Sequence, residues 1–167
     1  MDPFITANKL ESQEFKNFRE FIAETLMEID NVFDATGYRK NVEYPYLNNN
    51  SKLPVNISYL GGGVQGTAFK ITANDVDIVV KVVNCDDEDK LEDFDNEVMY
   101  TTLGTQLSRQ GIPNLPYNYG SLKMGNKCFL FLRKANGDIS ELFNHVDCET
   151  MISVLKQMVI SIYLVHT

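Results

Sequence analysis

Leu60-Gly61-Gly62-Gly63-Val64-Gln65-Gly66-Thr67-Ala68, followed by Ile78-Val79-Val80-Lys81-Val82-Val83, carries the strongest structural signal in this chain. Glycines at 61, 63 and 66 let the backbone approach another group with no Cβ between them and turn its N–H donors outward. An isolated Gly-x-Gly-x-x-Gly is better explained by a flexible hairpin turn. Four glycines in a strand pair (Gly61, Gly62, Gly63 and Gly66) cost roughly 0.5–1 kcal/mol each relative to alanine, a penalty that a merely structural hairpin avoids. The cluster therefore points to a loop that holds phosphate. Lys81 is the second sign. Inside a β-branched run an ammonium is disfavoured by several kcal/mol without a partner, although an edge-strand lysine that guards against aggregation looks the same in sequence.

Three glycine-loop chemistries fit the pattern Gly61-x-Gly63-x-x-Gly66. A dinucleotide fingerprint requires the glycines to open a helix; here they open Thr67-Ala68-Phe69-Lys70-Ile71-Thr72, which is strand-like. A Walker loop requires Lys-Ser/Thr after its last glycine; Gly66 is followed by Thr67-Ala68. The third is a loop between antiparallel strands that covers phosphates, with its lysine on the next strand. This one fits. Glu97 lies three residues after Phe94 and one before Val98, at the border of a helix's buried face, where it can meet Lys81. Asp95, four residues from Leu91, is its rival.

Composition narrows the partners. The chain has 167 residues, 44% of them hydrophobic, enough for one core or two small lobes. A net charge of −8 argues against nucleic acid as a primary partner and against an anionic membrane surface. Cys85, Cys128 and Cys148 show no Cys-x-x-Cys spacing, so neither a disulfide framework nor a zinc site is expected, and a reducing compartment is. The first thirty residues mix charge with apolar residues and do not form a signal peptide. The longest nearly apolar run, Met158 to Val165, is too short to span a bilayer. A soluble cytoplasmic domain is expected.

Outward from the glycines, Ser12 to Phe33 is patterned as an amphipathic helix, with Phe15, Phe18, Ile22, Leu26, Ile29 and Phe33 on one stripe. The simpler expectation is that this stripe packs on the domain's own core; a regulatory or partner-binding extension is the alternative. Thr36 to Pro54 is polar and irregular, which predicts a linker and a boundary near residue 54. Val55, Ile57 and Tyr59 begin a first strand, Thr67–Thr72 and Asp77–Val83 follow as an antiparallel meander, and Asn74-Asp75 supplies the turn. Asp86-Asp87-Glu88-Asp89 opens a helix that buries Leu91, Phe94 and Val98 and ends near Gly104. Residues 112–116 form a loop, two strands span Tyr117–Lys123 and Lys127–Leu132, and helices are expected over 139–144 and from Glu149 to the end.

Taken in order, Gly61-x-Gly63-x-x-Gly66-x-Ala68, Ile78-Val79-Val80-Lys81 and Glu97 resemble the small lobe of a eukaryotic-type protein kinase. Pro113-Asn114-Leu115 with Tyr119-Gly120, Phe129-Leu130-Phe131-Leu132, Gly137-Asp138-Ile139-Ser140-Glu141-Leu142 and Leu155 to Thr167 are similar to later family segments. The resemblance covers residues 55–167. It implies an α+β fold: a five-stranded antiparallel sheet with one helix at 55–135, the first helices of an incomplete large lobe at 136–167, and a helical extension at 1–54. It further implies that Gly61, Gly62, Gly63, Val64, Gln65 and Gly66 cover the phosphates of ATP, that Lys81 holds them and that Glu97 orients Lys81. Leu60, Ala68 and Val79 would line the adenine, Phe131 the back of the pocket, and Leu132 to Ala135, Lys134 included, the hinge. Ala68 and Val79 depart from the family's usual valine and alanine, Gln65 replaces a frequent aromatic, and Arg133-Lys134 is unusually basic. The chain stops before the family's catalytic loop, so the catalytic aspartate is absent and Mg2+ is expected only with that missing part. The expected function is the N-terminal portion of an ATP-dependent, serine/threonine-type protein kinase acting on a protein hydroxyl, inactive alone. A non-catalytic regulatory or decoy module that binds a partner kinase or nucleotide is the alternative, and a small-molecule phosphotransferase the third.

Overall fold

A computed structural model describes residues 13–46, 51–111, 115–135, 147, 149–150, 152–153 and 155–156. The expected helix at 139–144, most of the expected helix from Glu149 and residues 112–114 of the expected loop at 112–116 lie outside the described residues. Helix α1 (Gln13–Met27) and a short 3-10 turn (Val32–Asp34) precede strands β1 (Arg39–Pro45), β2 (Lys52–Gly63), β3 (Gly66–Ala73) and β4 (Val76–Asn84). Helix α2 (Glu88–Arg109) and strands β5 (Asn118–Met124) and β6 (Lys127–Arg133) follow. The fold is α+β, with a six-stranded antiparallel sheet in the order β1-β2-β3-β4-β6-β5.

Six strands rather than five is the main correction, and β1 is the extra one. It lies within the segment expected to be a linker, where Gly37, Pro45 and the asparagines mask a short strand. Its exposure alternates between solvent and half-buried, ending on buried Tyr44, as suits an edge strand paired on one side only. Pro54 is tolerated within β2 opposite Glu43.

A helix packs on each face of the sheet. On one, Phe15, Phe18, Ile22 and Leu26 of α1 pack against Val55, Ile57, Phe69, Ile71, Val80, Val82, Phe129 and Phe131. Steps of three and four put these α1 residues on one side of the helix, and the stripe belongs to the domain's own core, as the simpler expectation had it. The helix stops at Met27, and Lys127 Nζ donates to the carbonyls of Met27 and Ile29, satisfying acceptors that the helix end leaves bare. Phe33, expected on the buried stripe, is instead 48% exposed on the 3-10 turn. On the other face a smaller cluster joins Phe94 of α2 to Val83, Cys128 and Leu130.

Turn chemistry fixes the register. Asn74 and Asp75 both take positive φ (49° and 63°), the mirror-image turn that matches strand twist. Asp87 caps α2, its carboxylate accepting from the Lys90 amide at 2.8 Å. The helix runs through Gly104 to Arg109 rather than ending there. Gly104 is wanted for space: a Cβ would lie 2.8 Å from the Pro116 carbonyl oxygen. Cys85, just beyond β4, and Cys128 in β6 form a disulfide with Cα atoms 6.2 Å apart, correcting the expectation of unpaired cysteines. The strand pairing brings together residues 43 apart in sequence. The pairing also removes the basis on which a reducing compartment was expected. No helix among the described residues is long and apolar enough to cross a membrane.

Two phenols tie the N-terminal segment to the sheet. Tyr44 donates to Glu14 Oε1 at 2.6 Å and Tyr38 to Glu28 Oε1 at 2.6 Å. Burial first, then the carboxylate partner, pushes both phenols well above the ordinary tyrosine range. A folded phenol that keeps its proton where the unfolded one loses it stabilises the fold below about pH 10 and loses that contribution as pH rises further. The thermal midpoint is therefore expected to fall above about pH 10, less steeply in Tyr44→Phe. An unchanged slope in the variant would show that Tyr44 does not contribute.

Candidate functional site

The β2–β3 hairpin closes with Gly63 opposite Gly66 and Val64-Gln65 at its tip. Val64 is 98% exposed, so the tip packs on nothing. Gly66 anchors the hairpin. Its φ is +125°, and a Cβ there would lie 2.5 Å from the Val82 carbonyl oxygen. Thr67, fully buried, donates from Oγ1 to the Val32 carbonyl at 2.6 Å and locks the base of the hairpin to the 3-10 turn. Gly61 and Gly63 differ from Gly66: a Cβ at either meets nothing within 4 Å, and neither has positive φ. Packing and backbone strain therefore do not account for glycine at these two positions. What glycine provides there is an uncovered backbone.

The strand ladder puts Lys81 opposite Ala68 on one side and Leu130 on the other, with Gly61 beyond Ala68. Lys81 Nζ sits 2.6 Å from Glu97 Oε2, with side-chain exposures of 18% and 33%. Glu97 comes from α2 one turn beyond Phe94, whose burial fixes the rotation of the helix. Asp95 faces away and pairs with Lys123 at 2.9 Å on the surface.

Val79 lies opposite Leu132 two residues along β4 from Lys81, so Ala68, Val79 and Leu132 share its face. All three are only half-buried, which leaves an apolar strip open beside the lysine. Leu60 sits at the bulge between Tyr59 and Gly61 and is 49% exposed. Phe131 is placed differently from expectation. It pairs with Val80 and is wholly buried in the core under α1, on the opposite face from Lys81. Side chains alternate along a strand, so Leu130 and Leu132 occupy the face assigned to Phe131. Lys134, beyond the end of β6, donates to the Ala135 carbonyl at 3.5 Å.

A cavity of about 640 Å³ opens between the hairpin tip and α2, bordered by Gln65, Gly66, Asn84, Phe94, Glu97 and Tyr100. It adjoins the glutamate of the ion pair, whereas Ala68, Val79 and Leu132 lie outside it. The buried Oδ1 of Asn84 has no hydrogen-bond partner among the described residues. Among the described residues no three acidic, histidine or cysteine side chains converge as metal ligands.

Chemically, this arrangement offers a fixed ammonium held by one carboxylate, beside a hairpin whose glycines leave its backbone uncovered by side chains. Sequence reasoning missed Lys127, which looks like an ordinary strand-opening lysine until the helix end it caps is known. It also missed the unpartnered Asn84 oxygen, which carries no sequence signal. Comparison with protein-family models finds none that matches the chain, and comparison with curated proteins finds no match.

Proposed function

We propose that the chain binds ATP through its phosphates at the glycine hairpin, as the small-lobe portion of a serine/threonine-type protein kinase. The observation that carries this reading is the Lys81–Glu97 pair, 2.6 Å apart and on the same sheet face as Gly61. A purely structural lysine on this face gains nothing from having an exposed glycine hairpin beside it. Lys81 holds phosphate oxygens as a point charge, Glu97 keeps the ammonium in place, and hairpin amides donate to the same oxygens. Ala68, Val79 and Leu132 supply an apolar surface for the base. The parent reaction transfers the γ-phosphoryl group of ATP to a protein hydroxyl.

Thermal denaturation with and without ATP tests the reading. At a hundredfold excess over Kd, ligand stabilises by about 2.7 kcal/mol, or roughly 5–10 °C for a domain of this size. Glu97→Gln removes the charge that positions Lys81 and is expected to weaken ATP about tenfold, a loss of about 1.4 kcal/mol. An unmoved midpoint at millimolar ATP would reject nucleotide binding. An undiminished shift in Glu97→Gln would reject the positioning role.

A further inference from the structure

A second groove, of about 460 Å³, lies on the far side of α2, where α1, α2 and β5 meet. It is lined by Lys16 and Arg19 of α1 and Arg109 of α2, with no carboxylate among its lining residues. In a chain with 23 acidic and 15 basic residues, a purely cationic lining runs against composition. None of the three cations has a salt-bridge partner among the described residues.

Arg19 is seated rather than loose. Its guanidinium donates from Nη1 to the Tyr119 carbonyl and lies over the Phe15 ring. A Cβ on Gly120 would lie 1.7 Å from Nη1, so glycine at φ +127° makes the space it occupies. Burial pushes the Arg19 guanidinium below its ordinary range, and the charge of neighbouring Glu20 offsets this only in part. Arg109 is steered from α2 by Nε donating to the Tyr117 hydroxyl at 3.3 Å. Each arginine has five N–H donors and commits one here, so both forks keep donors for an oxyanion. Thr102 Oγ1 accepts from Asn118 Nδ2 at 3.2 Å and keeps its own proton to donate.

We propose that this groove binds the phosphate monoester of a phosphorylated peptide. Two arginine forks and a lysine match a compact dianion. The net charge of −8 disfavours extended polyanions such as nucleic acid or an anionic bilayer, whose repulsion from the rest of the surface a short peptide escapes. Strand addition at the β5 edge is blocked here. The Tyr119 carbonyl is taken by Arg19 and the Gly120 amide by Asn118 Oδ1 at 2.6 Å. The groove is independent of the glycine hairpin.

The test is fluorescence anisotropy of the full chain with a labelled degenerate phosphoserine heptapeptide pool, its dephosphorylated counterpart as control. The phosphorylated pool is expected to bind at least tenfold more tightly. Lys16→Gln/Arg109→Gln, which alters two exposed side chains, is expected to abolish that preference, and Lys81→Met to retain it. Equal binding of the two pools, or a preference untouched by the double variant, would overturn the proposal. So would competition by inorganic phosphate or phosphoinositide vesicles as effective, per phosphate, as that of the peptide.

Discussion

Phe18→Ala is expected to destabilise the fold by about 3–5 kcal/mol, the cost of emptying a large buried aromatic site. Phe18 is 1% exposed, stacks on Phe15 with ring centroids 6.4 Å apart and meets Tyr44 edge-on at 5.2 Å. Its neighbours are strand residues that belong to the same core, so the cavity cannot close without moving the sheet. Typical domains are stable by about 5–15 kcal/mol, so this one change removes a large share of the total. Urea denaturation measures it directly. A loss below about 1 kcal/mol, the range of surface changes, would mean that α1 is an appendage on a domain complete without it.

Gly66→Ala is expected to cost about 2–4 kcal/mol, combining backbone strain at φ +125° with an overpacked contact. The new Cβ would face the Val82 carbonyl oxygen at 2.5 Å and Val83 Cγ2 at 3.0 Å, and a backbone oxygen within a paired strand has nowhere to go. Gly61→Ala and Gly63→Ala meet nothing within 4 Å and are expected to leave stability within about 0.5 kcal/mol of the parent. This contrast separates two uses of glycine in one loop. Gly66 holds the hairpin in place, while Gly61 and Gly63 keep its backbone bare. Equal losses at all three positions would contradict that division.

Much of the sheet was legible because its signals are local. Alternation at Val55, Ile57 and Tyr59 and the Asn74-Asp75 turn each specify a strand or its end without help from distant residues. The choice of Glu97 over Asp95 was legible too, because Phe94 and Val98 fix the buried side of α2. Strand β1 was not, since an edge strand paired on one side needs little apolar sequence, and its asparagines and prolines read as loop. Nor was the face of Phe131. Cys128 to Leu132 is apolar without a break, and a run buried on both faces carries no parity. The Cys85–Cys128 bond, the Lys127 cap on α1 and the Arg19 seat over Gly120 all join residues far apart in sequence. Chain patterning is silent about such pairs. At the site, the glycines and Lys81 were visible as residue types, but which glycines are required by packing emerged only from the neighbours of each Cβ.

The central claim is that Lys81 serves phosphate and not merely Glu97. Isothermal titration of the full chain with ATP, beside Lys81→Met, tests it most directly. Methionine preserves the length of the side chain and removes its charge, and a lost charge-assisted contact of about 1.5–3 kcal/mol corresponds to a roughly 10- to 150-fold weaker Kd. The expected result is ATP binding by the parent chain, weakened to that extent or more in a Lys81→Met variant that remains folded. Equal ATP affinity in the two folded proteins, or no ATP binding by the parent, would contradict the claim and return Lys81 to a structural role.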